Sequence, residues 1–282
     1  MSMAASFRSP AAASRPAEAR PRGRQRRVFA RQPVLRLPPV PFAFLEGPLA
    51  RAGTGLVPAG TRGPRLALAD LLAPGAVDRI LAPLLREKPD QDRRALLSLW
   101  SRYYFFTLIP PVALTLMLAH RRLPLAPAGA AVLLKPDGLP AAIALPHDGE
   151  ACAAPADPFE RFAPLLQGHL APLIAHWAAE AKLAPRVLWA NAASYFAWIV
   201  RETASAPDAP PGAAACGQAI VAATHLPDGS ANPMHEPMKP LEGSTDGKRW
   251  RKVCCLLYRL PDREECSYCP LLLGKDRKGC AH

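Results

Sequence analysis

The sequence predicts an α+β fold: a single, mainly α-helical domain with one β-hairpin, closed by a C-terminal cysteine loop. Three observations point there. Apolar residues recur at intervals of three and four over several long stretches, the period of a helix with one buried face. Only residues 130–146 change to short apolar runs around a turn signature. Four of the seven cysteines fall within the sixteen residues from Cys254 to Cys269.

At 282 residues, half of them hydrophobic, the chain can bury a sizeable core. Its net charge is +12, but residues 1–36, with nine Arg and one Glu, carry +8 of this and the remainder only +4. The excess therefore belongs to a tail and not to a basic groove, and no nucleic-acid partner is expected. The N-terminus lacks the apolar core of a secretory signal. An odd number of thiols suits a reducing compartment, so a cytoplasmic location is expected.

Residues 1–45, rich in Ala, Pro and Arg, have no apolar period and read as a disordered basic tail. Residues 60–247 read as the helical domain and residues 248–282 as a metal-binding segment packed on it. Within 65–87, Leu66, Leu68, Leu71 and Leu72 precede Pro74, and Val77, Ile80, Leu81, Leu84 and Leu85 follow it, which predicts one or two short helices. Over 91–108, Leu96, Leu97, Trp100, Tyr103, Tyr104 and Leu108 share a helical face, and Pro110-Pro111 is expected to end that helix. The charge-free run from Tyr103 to Ala119 is 17 residues long, at the short limit for a membrane span, and reads as two buried helices meeting at a corner.

The segment 130–146 predicts the hairpin, turning on Lys135-Pro136-Asp137-Gly138, with Pro140 placing the return strand at an edge or delaying its start. Residues 158–182 are helical by Phe159, Phe162, Leu166, Leu170, Leu173 and Trp177, with Pro164 and Pro172 predicting a kink or split. His169 and His176 border that stripe, seven residues apart. A helix from Pro185 to Thr203 buries Leu188, Ala192, Tyr195 and Ile199 and sets Asn191 beside them. A small helix over 213–224 and a long polar loop, 227–247, complete the domain.

The chemistry lies in Cys254-Cys255 and Cys266-Ser-Tyr-Cys269. Four close thiolates repel one another and are usually held by a metal, a cluster or disulfides. Zinc ribbons use two C-x2-C pairs, and only Cys266 and Cys269 form one here. In an extended segment the adjacent Cys254 and Cys255 would point to opposite faces, so closing both on one ion needs a tight turn. Two sulfide-bridged irons offer more separated ligand positions. Spacing favours an iron–sulfur cluster and leaves zinc and disulfides open. No dinucleotide or Walker A motif is present.

The pattern C-C-x10-C-x2-C, preceded by Lys248-Arg249-Trp250-Arg251-Lys252-Val253 and followed by Pro270-Leu271, resembles the ferric siderophore reductase family of FhuF type. The stretch from Leu188 to Ala193 resembles a family segment more weakly, and the likeness runs from about residue 60 to the end. It implies a [2Fe–2S] cluster on Cys254, Cys255, Cys266 and Cys269, making the C-terminus an iron–sulfur loop. It also implies a ferric siderophore as substrate; with a redox cluster and no nucleotide motif, electrons are expected from a donor protein, a ferredoxin or a flavin reductase. Peripheral contact with the inner membrane or a siderophore importer is compatible with the apolar run. Arg249, Arg251 and Lys252 stand just before the cysteines to attract an anionic chelate, Trp250 can line its approach, and Asn191 either meets a ligand or fixes helix packing. Cys152 and Cys216 read as packing residues, and Cys280 as a less suitable ligand than Cys269. Two rivals remain: a zinc-stabilised four-cysteine binding module, and a non-reducing siderophore-binding or biosynthetic relative on the same scaffold.

Overall fold

The computed structural model describes residues 54–86, 89–151, 157–240, 249–261 and 263–272. Within these the domain is built on helix α2, Arg93–Leu114, in which seventeen residues are buried, Trp100, Tyr104 and Phe105 completely. The Asp92 carboxylate caps its first turn by accepting from the Arg94 and Ala95 N–H groups. One side of α2 packs on helix α5, Pro185–Ser205, and another on the sheet.

Pro110 and Pro111 do not end α2. It continues to Leu114 and widens into a π-helical turn, Thr115–Ala119, before His120 takes a left-handed conformation. Each proline removes one ladder bond. The Thr107 carbonyl, left without the N–H at position 111, instead meets the backbone at Gly55, where a Cβ would lie 2.3 Å from the oxygen. Burial of almost every residue from Tyr104 to Met117 holds the helix through the interruption. Arg93–Ala119 is long and apolar enough to cross a membrane by length and composition, and 72% of its apolar window is buried inside the domain.

The main sheet runs, in spatial order, β1 (Leu56–Pro58), β5 (Pro140–Leu145), β4 (Ala131–Leu134) and β2 (Arg65–Ala67). Strands β4 (Ala131–Leu134) and β5 (Pro140–Leu145) form the expected hairpin. Its turn is closed by Gly138 N–H to Lys135 C=O at 2.9 Å, with Gly138 at φ +80°. Strand β5 lies inside the sheet, not at its edge. Pro140 is tolerated because it is the first residue of β5, while the parallel partner β1 (Leu56–Pro58) pairs only with Ile143–Leu145. Strand β1 lies before residue 60, so chain ahead of the expected domain start contributes to the core, with Leu56 fully buried.

Leu66 falls in a short strand, β2 (Arg65–Ala67), antiparallel to β4, where a helix was expected. Pro64 and the alternation of exposed Arg65, half-buried Leu66 and exposed Ala67 suit an edge strand. Helix α1, Ala76–Leu85, follows. Strands β3 (Arg121–Arg122) and β6 (Glu150–Ala151) form a small antiparallel pair. The expected split of 158–182 is a π-helical turn, Leu166–Leu170, between α3 (Pro158–Leu165) and α4 (Ala171–Ala181). Helix α6 is Ala215–Ala222. The stretch after it is not simply a polar loop. Asn232 and Met234 are buried, and the Asn232 amide donates to the Ile220 and Ala223 carbonyls, both at 2.8 Å. Strand β7 (Met238–Pro240) then pairs with β8 (Arg249–Arg251), which delivers the cysteine segment.

Candidate metal centre

The chain enters the cysteine loop from β8 and is locked at once. Arg251 N–H donates to Tyr268 C=O at 2.9 Å, tying the entry to the C-x2-C turn. The turn itself closes through Cys269 N–H to Cys266 C=O, also 2.9 Å. Between the cysteine pairs the backbone reverses at Leu256, which has a left-handed φ of +61°. A bulky residue rarely adopts this conformation, and such outliers cluster at ligand sites. Here it supplies the tight turn that the adjacent Cys254-Cys255 pair requires.

The thiols form two pairs. Cys255 Sγ and Cys266 Sγ are 3.8 Å apart, and Cys254 lies within hydrogen-bonding reach of Cys269. Two thiolates on one tetrahedral metal with bonds of about 2.3 Å stand about 3.8 Å apart, so the first pair is already spaced as ligands of one atom. Among the described residues no three His, Cys, Asp or Glu side chains converge on a single ion position. Two pairs suit two metal atoms better than one. Main-chain N–H groups point at three of the sulfurs: Leu256 to Cys254 at 3.4 Å, Leu257 to Cys255, and Tyr268 to Cys266. Such donors favour sulfur that carries negative charge.

The charge behind the loop is cationic. Arg102, on α2, reaches Cys255 Sγ at 3.6 Å and also bonds Tyr195 on α5. Burial works against its charge, but Tyr195 and the Cys255 and Cys266 sulfurs outweigh burial and hold it above the ordinary arginine value. The buried Arg251 is pushed the other way, first by desolvation, with Arg102 adding repulsion. Cys255 is drawn down to about 5, chiefly by its hydrogen bond with Cys266 and then by Arg102, whereas Cys266 is raised by the same bond. The pair thus accepts one negative charge readily, on Cys255. Cys254 is raised, first by burial.

A buried polar network anchors this charge to the helices. The Arg251 guanidinium donates to Asn191 Oδ1 at 2.5 Å and to the Val253 carbonyl at 3.2 Å. The Asn191 amide donates to Ser98 Oγ and Ser101 Oγ, each at 3.0 Å. Ser98 Oγ donates to the Cys255 carbonyl at 2.8 Å. Asn191 is fully buried, so of its two expected roles it fills the one that fixes helix packing and the cysteine loop. Trp250 and Arg251 are buried too, at 3% and 6% exposure, and neither faces an approaching substrate as the sequence suggested. As consecutive residues of β8 they point to opposite faces, so both faces of the strand are covered there, and the Arg251 side is covered by Asn191. Of the basic run, Arg249 is exposed, Lys252 lies 3.6 Å from Glu236, and Lys248 is outside the described residues, as are Cys152 and Cys280.

Arg102 was missed by sequence reasoning. It sits 153 positions from Cys255, and its only local signal was an arginine within the apolar face of a core helix. His169 and His176 are not a ligand pair. Tyr104 OH lies 2.6 Å from His169 Nε2 and the Leu125 carbonyl 3.0 Å from Nδ1, while His176 Nε2 bonds the Ala73 carbonyl. Cys216 stands apart, accepting from Arg161.

Comparison with known proteins adds three findings. Residues 98–244 match the family described as ferric iron reductase FhuF-like transporter. Residues 251–271, which hold all four cysteines, match the FhuF 2Fe-2S C-terminal domain. A ferric siderophore reductase of Escherichia coli K12 is 24% identical over 220 residues, covering 73% of this chain and 79% of that protein.

Proposed function

The chain belongs to the FhuF-like ferric iron reductase family, and on that premise we propose that it is a cytoplasmic ferric siderophore reductase, passing one electron to chelated Fe(III) so that Fe(II) is released. The observation that carries this reading is the paired arrangement of four thiols, with Cys255 and Cys266 at the separation of two ligands of one metal and N–H groups and a guanidinium beside them. Cys255 and Cys266 would hold one iron, and Cys254 and Cys269 the other. When bound, a [2Fe–2S] cluster supplies one-electron chemistry.

The remaining work falls to the protein's own residues. Leu256 turns the backbone so that adjacent cysteines serve different pairs. Arg102 and Arg251 keep positive charge beside the Cys255 sulfur, which favours the more negative, reduced state. The Ser98–Asn191–Ser101 network holds this charge on two long helices. The oxygen ligands of siderophores are hard and hold Fe(III) far better than Fe(II), so a single electron loosens the metal. The electron comes from a partner protein, a ferredoxin or a flavin-containing reductase.

The test is the visible spectrum of anaerobically purified protein, with iron and acid-labile sulfide analysis. A red-brown protein with about two irons per chain, bleached by dithionite and recoloured by a ferric siderophore, is the expected result. A colourless protein holding one zinc would overturn the reading in favour of a zinc-stabilised module.

A further inference from the structure

Of the basic run before Cys254, Arg251 and Trp250 are buried and Lys252 is engaged with Glu236, which leaves Arg249 as its exposed described cation. A cationic opening lies elsewhere. A cavity of about 500 Å³ is bounded by the end of α1, the first turns of α2, the tip of the β4–β5 hairpin and the cysteine loop itself. Leu96, Leu99 and Leu260 form a buried floor, and Arg86 and Arg263 stand exposed at its rim. Neither guanidinium makes an ion pair among the described residues. One lining carboxylate, Asp137, is occupied in the hairpin turn, where it accepts from the Leu139 N–H at 3.0 Å.

We infer that this cavity is where the ferric chelate docks, and that it selects anionic chelates with carboxylate or catecholate arms; the inference rests on the reductase reading above. Three features argue for it. The volume is within the range of small-molecule sites, and an apolar floor with a few charges at the rim is their usual composition. Paired arginine forks match the oxygens of carboxylates and catecholates better than any other side chain. Most of all, the cavity shares its wall with the candidate centre. Arg263 precedes Cys266 by three residues, so their Cα atoms lie within about 11 Å of each other. Leu99 follows Ser98, whose hydroxyl bonds the Cys255 carbonyl. A chelate seated there touches the segment that joins the Cys255–Cys266 pair. The step it undergoes is balanced by one electron from the donor protein: Fe(III) becomes Fe(II), and no bond in the siderophore is broken.

The test uses the full-length, cluster-loaded protein and its R86E/R263E double variant. Two probes are titrated, the redox-inert gallium(III) complexes of a hexadentate tricatecholate and of an uncharged trihydroxamate, alongside reduction of the matching ferric complexes. The expected result is a loss of affinity for the tricatecholate, and a rise in KM, of roughly tenfold or more. The trihydroxamate should respond less, and the visible spectrum should not change. Equal affinity in both proteins, with reduction still proceeding, overturns the cavity as the docking site and leaves the reductase reading standing. A native protein that neither binds nor reduces either chelate overturns both. Leu99→Trp, which fills the floor without altering charge, should weaken both chelates, and unchanged binding of both would also overturn the site.

Discussion

The Arg102 guanidinium lies 3.6 Å from the Cys255 sulfur, although it stands on α2, far from the cysteine motif in sequence. Reduction adds negative charge to the centre, so a neighbouring cation should raise its potential. Arg102→Gln should therefore retain the visible spectrum but lower the midpoint potential by on the order of 60 mV, a tenfold change in a one-electron equilibrium. A spectroelectrochemical titration checks it. An unchanged potential would mean that Arg102 only packs.

The pairing of the thiols predicts how cysteine variants group. Alanine at any of Cys254, Cys255, Cys266 or Cys269 should abolish bound iron and sulfide, whereas Cys216→Ser, in α6 and next to Arg161, should keep both. Serine variants that still load should fall into two spectral classes, Cys255 with Cys266 and Cys254 with Cys269, because members of a pair would serve the same iron. Four unrelated spectra would contradict the pairing.

Asn191→Ala should destabilise the fold by about 2–4 kcal/mol, read as a lower urea midpoint. It removes the acceptor of the buried Arg251 guanidinium and the donor to Ser98 and Ser101, leaving charged and polar groups unsatisfied away from water. The same variant should load less iron, since the loop loses its anchor. A loss below about 0.5 kcal/mol would show that water replaces the amide freely.

The buried His169 gives the protein an acid-sensitive core. Burial holds its folded-state value at about 4, against the opposing pull of the Leu125 carbonyl. Above pH ~6.5 both folded and unfolded states carry neutral imidazole, so the group is without effect. As pH falls from there towards 4, only the unfolded state gains the proton. Stability should fall by up to about 3 kcal/mol and level off below pH 4 as far as this group is concerned. Denaturant midpoints across that range measure it, and His169→Gln should flatten the slope.

At Gly138, φ is +80° and an added Cβ would lie 2.5 Å from Pro83 Cβ. Gly138→Ala should cost about 1–3 kcal/mol, visible as a lower melting temperature. It also shifts the hairpin tip that borders the cavity, so chelate affinity should fall with it.

Much of this protein could be read from the chain alone, wherever neighbours in sequence decide the outcome. The four cysteines, the hairpin turn at Lys135–Gly138, the divided helix around Pro164 and Pro172 and the helix from Pro185 are local patterns, and each is present. What local pattern could not decide is what long-range packing overrides. Pro110-Pro111 reads as a stop, yet burial on all sides carries α2 through it, and the carbonyl freed at Thr107 is met by Gly55. Leu66 reads as helix, yet the exposed edge of β4 recruits it as a strand. The basic run reads as a substrate surface, yet packing on both faces of β8 buries Trp250 and Arg251. Arg102, Asn191 and Ser98 became part of the centre only when α2, α5 and the cysteine loop came together. The sequence by itself marked the four thiols as candidate metal ligands, because the capacity for thiol ligation is a property of residue type and spacing. Tertiary structure alone decided which charges surround those atoms and where an opening meets them, because both depend on contacts between residues some sixty to one hundred and sixty positions apart.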